Sequence, residues 1–224
     1  MEIKELQEFW NNKRPKNIIG YSGRAIPRRD RVLDKIVLEQ FVQIDVKTML
    51  SVNDDYLKEI IEKHNLKGSS NDETMHNIQN WVVGNIRYLG DDISNYTVEF
   101  WQFPFETLFD KTGDCEDGAL LIASLAINAG IPAFRVRVVA GMVQEAPTAP
   151  EGGHGYVSYL RESDNQWVVI DWCYFEDSQI PVPQKPLQKN NQYYKQIWFS
   201  FNNEFSWGDR KMDFKSFAES PVAF

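Results

Sequence analysis

Cys115, His154 and Asp171 are the residues whose types could together run chemistry at a carbonyl. A thiol attacks, an imidazole takes its proton, and a carboxylate fixes the imidazole's tautomer and orientation. Each residue alone has an ordinary alternative. Cys115 could be a small buried residue at a helix start, His154 a polar strand-end histidine, and Asp171 a solvated strand-end carboxylate. What separates the readings is whether the surrounding elements deliver all three to one place.

The segment around Cys115 is a loop entering a buried helix. Gly113-Asp114-Cys115-Glu116-Asp117-Gly118 runs into the apolar stretch Ala119 to Ala129, and Gly130-Ile131-Pro132 supplies a stop. Cys115 therefore belongs in the first turn, where unpaired amides and the helix dipole favour a thiolate. The acidic neighbours Asp114, Glu116 and Asp117 act in the opposite sense unless they turn to cap amides. The segments Gly152 to Leu160 and Asn165 to Trp172 are rich in Val, Tyr, Trp and Ile and read as two strands. A turn made of Arg161-Glu162-Ser163-Asp164 sets His154 directly across from Asp171 on one face. A slip of two residues keeps them on that face, whereas a slip of one separates them.

Elsewhere the pattern is that of scaffold. Asn53-Asp54-Asp55 caps a short helix over Tyr56 to Lys63, with Leu57, Ile60 and Ile61 on one stripe. A second helix starts at Asn71 or Asp72, carries Met75, Ile78, Trp81, Val82 and Ile86 inward, and ends near Tyr88-Leu89-Gly90. The chain divides into an N-terminal helical or extended extension (1–70), a core (71–175) and an aromatic-rich C-terminal segment (176–224). A basic cluster, Arg24, Arg28, Arg29 and Arg31, reads as a solvated loop balanced by Asp30 and Asp34. Tyr193, Tyr194, Trp198, Phe199, Phe201, Phe205 and Trp207 either add strands to the domain's own sheet, the preferred reading, or offer a surface to a protein partner.

Composition narrows the function classes. A net charge of -8 over 224 residues repels phosphate backbones and anionic lipid, so neither nucleic acid nor membrane is an expected partner. Two cysteines exclude a disulfide framework, and three scattered histidines, His64, His76 and His154, leave little for a catalytic zinc. No metal and no cofactor are expected. The N-terminal residues lack a signal peptide's apolar stretch, which reads as a cytoplasmic protein. Cys173 reads as a packed strand-end thiol.

The order of motifs resembles the transglutaminase-like superfamily, close to its bacterial cysteine peptidase branch. The matching segments are Trp81-Val82 with Ile86-Arg87-Tyr88, Trp101-Gln102-Phe103-Pro104-Phe105-Glu106-Thr107-Leu108, Gly113 to Asp117, Gly130-Ile131-Pro132-Ala133, and then His154 and Asp171. Gly118 stands where this branch often has an aromatic residue, and Gly155-Tyr156 where an Ala-Trp pair is frequent. The resemblance implies an α+β, papain-like core in which the nucleophile helix packs on an antiparallel sheet, and it implies acyl transfer at amide carbonyls of a protein or peptide. Cys115, His154 and Asp171 are then the catalytic triad, and the Cys115 amide with Gln102 or Trp101 forms the oxyanion hole. Hydrolysis by a protease or deamidase is the default over transglutamination. A non-catalytic structural or binding module of the same fold is the competing reading.

Overall fold

The computed structural model describes Glu5 and residues 24–28, 40–94, 100–175 and 177–208. Arg29 and Arg31 of the basic cluster, and the chain after Gly208, lie outside the described residues. Two strands, β1 (Arg24–Arg28) and β2 (Gln40–Ile44), pair antiparallel and lead through a 3-10 turn at Val46–Met49 into α1 (Asp55–Lys63). Asp54 caps α1 by accepting from the amides of Tyr56 and Leu57.

The next helix, α2 (Asn71–Asn85), is capped by Ser70, whose hydroxyl accepts from the Glu73 amide at 3.1 Å. The expected caps, Asn71 and Asp72, lie inside it. Asp72 instead accepts from the Tyr159 hydroxyl and from the amides of Glu162 and Ser163, fastening the helix to a distant hairpin turn. The helix also stops short of Tyr88. Arg87–Tyr88 forms β3, which pairs parallel with β4 (Thr112–Gly113). The short helices α3 (Asp91–Ser94) and α4 (Pro104–Asp110) lie between these two strands.

The central helix α5 (Cys115–Asn128) is buried from Cys115 through Ala126. After Gly130, at φ +104°, the chain turns back as the Ile131 amide reaches the Ala126 carbonyl at 3.0 Å. A five-stranded antiparallel sheet packs against this helix. Its strands are β5 (Val136–Gln144), β6 (Glu151–Leu160), β7 (Trp167–Ile170), β8 (Tyr194–Phe201) and β9 (Ser206–Gly208). Their order in the sheet is β7-β6-β5-β8-β9. Alternation sends Val136, Val138, Val157, Tyr159, Phe199 and Phe201 toward the helix side, where they join Leu120, Leu121, Leu125 and Trp101 in one core. That core crosses residue 70: Met49, Leu57, Ile61 and Leu66 belong to it. The aromatic tail contributes β8, with Phe199 and Phe201 fully buried.

The β6–β7 register differs from the expected one by two residues. Leu160 pairs with Trp167 and Val157 with Ile170, because Arg161 still pairs with Gln166 and the turn is Glu162 to Asn165. Asn165 takes the left-handed conformation (φ 55°) that closes it. The slip is even, so His154 and Asp171 keep a common face and meet diagonally.

Candidate active site

The first turn of α5 is built around acceptors. Asp114 precedes Cys115 as N-cap, and its amide donates to Asp117 Oδ2 at 3.1 Å, while Asp117 Oδ1 accepts the Gln102 amide at 2.7 Å. One buried carboxylate thus ties the segment before α4 to the nucleophile helix. On the strand side of Cys115, the parallel β3–β4 pair holds Gly113, whose carbonyl accepts the Leu89 amide at 2.9 Å. Trp172 completes the clamp: its indole N–H donates to the Cys115 carbonyl at 3.1 Å. The same ring fills the space beside Gly118, where any Cβ would lie 2.2 Å from it. The glycine that stands in place of the branch's aromatic residue is therefore matched by a tryptophan coming from the other side.

His154 lies on β6 opposite Gly141 of β5. Gly141 marks a register shift between β5 and β8, and a Cβ there would come 2.3 Å from the Gln196 carbonyl oxygen, so the close backbone approach needs glycine. Gly155, the next residue, presses on the start of α5, where a Cβ would lie 2.9 Å from the Glu116 Cα. This contact brings the histidine's strand against the turn that carries Cys115.

Nε2 of His154 lies 2.6 Å from Oδ2 of Asp171, with both side chains essentially inaccessible. Asp171 follows the last residue of β7 and is held on every side. Its Oδ1 accepts from the amides of Trp172, Cys173 and Tyr174 at 2.7, 3.1 and 3.3 Å, Oδ2 also accepts the Tyr194 hydroxyl at 2.6 Å, and its carbonyl accepts Gln79 Nε2 at 2.6 Å. Burial works to raise the Asp171 pKa, but the His154 charge and these hydrogen bonds outweigh it and hold the group down at about 2. The imidazole sits among the rings of Tyr156, Tyr174 and Tyr194 at 5.2 to 6.4 Å. Its Nδ1 is buried and has no hydrogen-bond partner among the described residues.

The thiol is engaged elsewhere. Cys115 Sγ donates to Glu116 Oε2 at 3.1 Å. Burial first, then the negative charges of Glu116 and Asp114, push its pKa well above the ordinary value. Burial and, after it, the acidic neighbours thus both disfavour the thiolate, against the sense of the helix dipole.

Of the two oxyanion candidates, Gln102 is buried with both side-chain amide atoms lacking partners among the described residues. Trp101 stacks at 6.5 and 6.2 Å on Phe199 and Phe201, a packing position. Sequence reading missed Tyr194, Gln79 and Trp172 as determinants of the site. The first two lie 23 and 92 residues from Asp171, beyond any local motif.

Among the described residues, three sets of side chains have potential metal-ligand atoms within 4.8 Å of one another: His154-Asp171-Cys173, Asp114-Cys115-Glu116 and Asp91-Asp114-Asp117. In the first, His154 and Asp171 are bonded to each other. In the third, both Asp117 oxygens already hold amides and one Asp91 oxygen accepts the Phe100 amide.

A family model for the transglutaminase-like superfamily matches residues 58–172. The chain belongs to the transglutaminase-like superfamily. This superfamily chain is also similar to two solved structures of Legionella pneumophila LapG, one of them EGTA-treated. Each has a TM-score of 0.51 and 16% identity over 69% of this chain, covering 84% of the EGTA-treated LapG chain and 86% of the other. At that identity the likeness concerns the fold, an α+β transglutaminase-like core. A curated relative, UPF0252 protein MJ1282 of Methanocaldococcus jannaschii, is 27% identical over 141 residues. The match takes in 54% of this chain and 39% of that protein, so the chain spans about two fifths of the relative's length. Among the described residues, no helix is long and apolar enough to cross a membrane.

Proposed function

We propose that the chain is a cysteine hydrolase acting on amide bonds of a protein or peptide, with Cys115, His154 and Asp171 as its triad. The observation that carries this is the buried 2.6 Å imidazole–carboxylate pair whose second ring nitrogen is left without a partner among the described residues, on a strand pressed against the turn bearing Cys115. In the proposed reaction the thiol leaves Glu116 and gives its proton to His154 Nδ1. Sulfur bonds to the carbonyl carbon, and the oxyanion so formed is met by the Cys115 amide and the Gln102 side chain. Collapse breaks the carbon–nitrogen bond, and His154 returns the proton to the departing amine. Water, deprotonated by His154, then cleaves the thioester and restores the thiol.

The test is the rate of iodoacetamide alkylation at Cys115 against pH, read by peptide mass spectrometry, with Cys173 as the internal control. Reaction at Cys115 that outpaces Cys173 near neutral pH and collapses in His154→Ala supports the enzyme. A rate and pH profile at Cys115 that His154→Ala leaves unchanged remove it. A second reading, a binding or structural module of the same fold, has one observation in its favour: the thiol rests neutral on Glu116. A Cys115→Ser protein that retains every association of the wild type would support that reading.

A further inference from the structure

The face of the sheet turned away from α5 carries a cavity of about 400 Å3, lined by residues of β5, β6, β7 and β8 and of the segment before β8. None of Cys115, His154, Asp171 and Gln102 lines it, so it is separate from the proposed triad and oxyanion donors. Among the described residues, its charged lining is Arg137, Lys189 and Lys195, with no carboxylate. Three cations gathered in one concavity run against a chain whose net charge is -8.

Arg137 is the built part of this cavity. Its guanidinium carbon lies 3.8 Å from the ring centre of Trp207 and 4.8 Å from that of Trp167, so two indoles fix the plane of the group. Its Nε is buried without a hydrogen-bond partner among the described residues, and none of the described carboxylates forms an ion pair with it. Burial lowers its pKa to about 10, which leaves it charged at neutral pH. An oriented guanidinium with free N–H donors matches the paired oxygens of a carboxylate or phosphate. Ser158 and Ser200 add hydroxyls to the same wall. Ser158 is itself oriented by its 2.6 Å bond to Gln188, which lines the cavity too.

We propose that this cavity binds a small organic anion through carboxylate or phosphate oxygens, with Arg137 supplying paired donors and Lys189 and Lys195 the surrounding positive field. The cavity's floor includes Tyr156 and Tyr194, and the Tyr194 hydroxyl is a group that holds Asp171. The anion therefore sits one phenol ring away from the imidazole–carboxylate pair.

The experiment is calorimetric titration of the full chain at low ionic strength, with inorganic phosphate and, separately, with succinate. Saturable binding at one site supports the proposal, and whichever probe binds more tightly distinguishes a phosphate from a carboxylate ligand. Arg137→Gln is expected to weaken that binding about tenfold or more, the worth of one good charge-assisted pair. Because Arg137 also packs between two indoles, circular dichroism of Arg137→Gln is recorded first. If the variant is unfolded, the decision passes to the double variant Lys189→Gln with Lys195→Gln, expected to weaken binding about threefold. Absence of saturable binding for both probes, or an affinity unchanged in whichever variant decides, overturns the proposal.

Discussion

After burial itself, the strongest influence on the Cys115 sulfur is the carboxylate of its immediate neighbour, Glu116, which both accepts the thiol's hydrogen bond and repels a thiolate. Glu116→Gln removes the repulsion and keeps the shape. Alkylation of Cys115 at a fixed neutral pH should then accelerate, on the order of tenfold, because the thiolate fraction rises. A rate unchanged in the variant would mean that burial alone sets the thiol's acidity. Asp171 presents the opposite case. Its folded-state pKa of about 2 lies below the ordinary unfolded value of about 3.9. The stability it contributes is therefore complete above about pH 4 and is lost as pH falls through 2. Tyr194→Phe removes a hydrogen bond to this buried carboxylate and should cost about 1–3 kcal/mol in urea unfolding at pH 7. It should also shrink the loss seen between pH 4 and 2, since the folded-state pKa moves back toward the unfolded one.

At the scale of elements, the site depends on how the β6–β7 hairpin is placed against two helices. Asp72 is the fastener, accepting two turn amides and one tyrosine hydroxyl. Asp72→Ala leaves those donors unmet and should destabilise the fold by about 2–3 kcal/mol. Hydrogen exchange should show the Glu162 and Ser163 amides opening first, and retained protection there would refute the fastening role. Much of this architecture was legible in the chain. The start of α5 at Cys115, the strand character around His154 and Asp171, and their shared face all follow from periodicity and turn residues. The hairpin register was not, because Arg161 to Asp164 and Glu162 to Asn165 are both four-residue turns, and the choice is made by Asn165 adopting a left-handed conformation. The cap of α2 was misplaced for a related reason. Asp72 has the right chemistry for a cap, but its partners lie about 90 residues away in the hairpin.

At the scale of the molecule, α5 is the member against which both the N-terminal helices and the sheet are packed. Leu120 is fully buried at its middle, so Leu120→Ala should cost about 2–5 kcal/mol. Because Met49, Leu57 and Ile61 share its core, the regions before and after residue 70 should unfold in a single transition. Two separate transitions would show that the N-terminal helices are independent.

The burial of the site has a kinetic meaning. Cys115, His154 and Asp171 are only 6%, 3% and 1% exposed, so any reagent larger than the thiol must wait for the surrounding turn and strands to part. Its observed rate is then the product of intrinsic chemistry and the fraction of time spent open. A small and a bulky reagent carrying the same iodoacetamide group would share the first factor and differ in the second, and the ratio of their rates measures how much rarer the wider opening is.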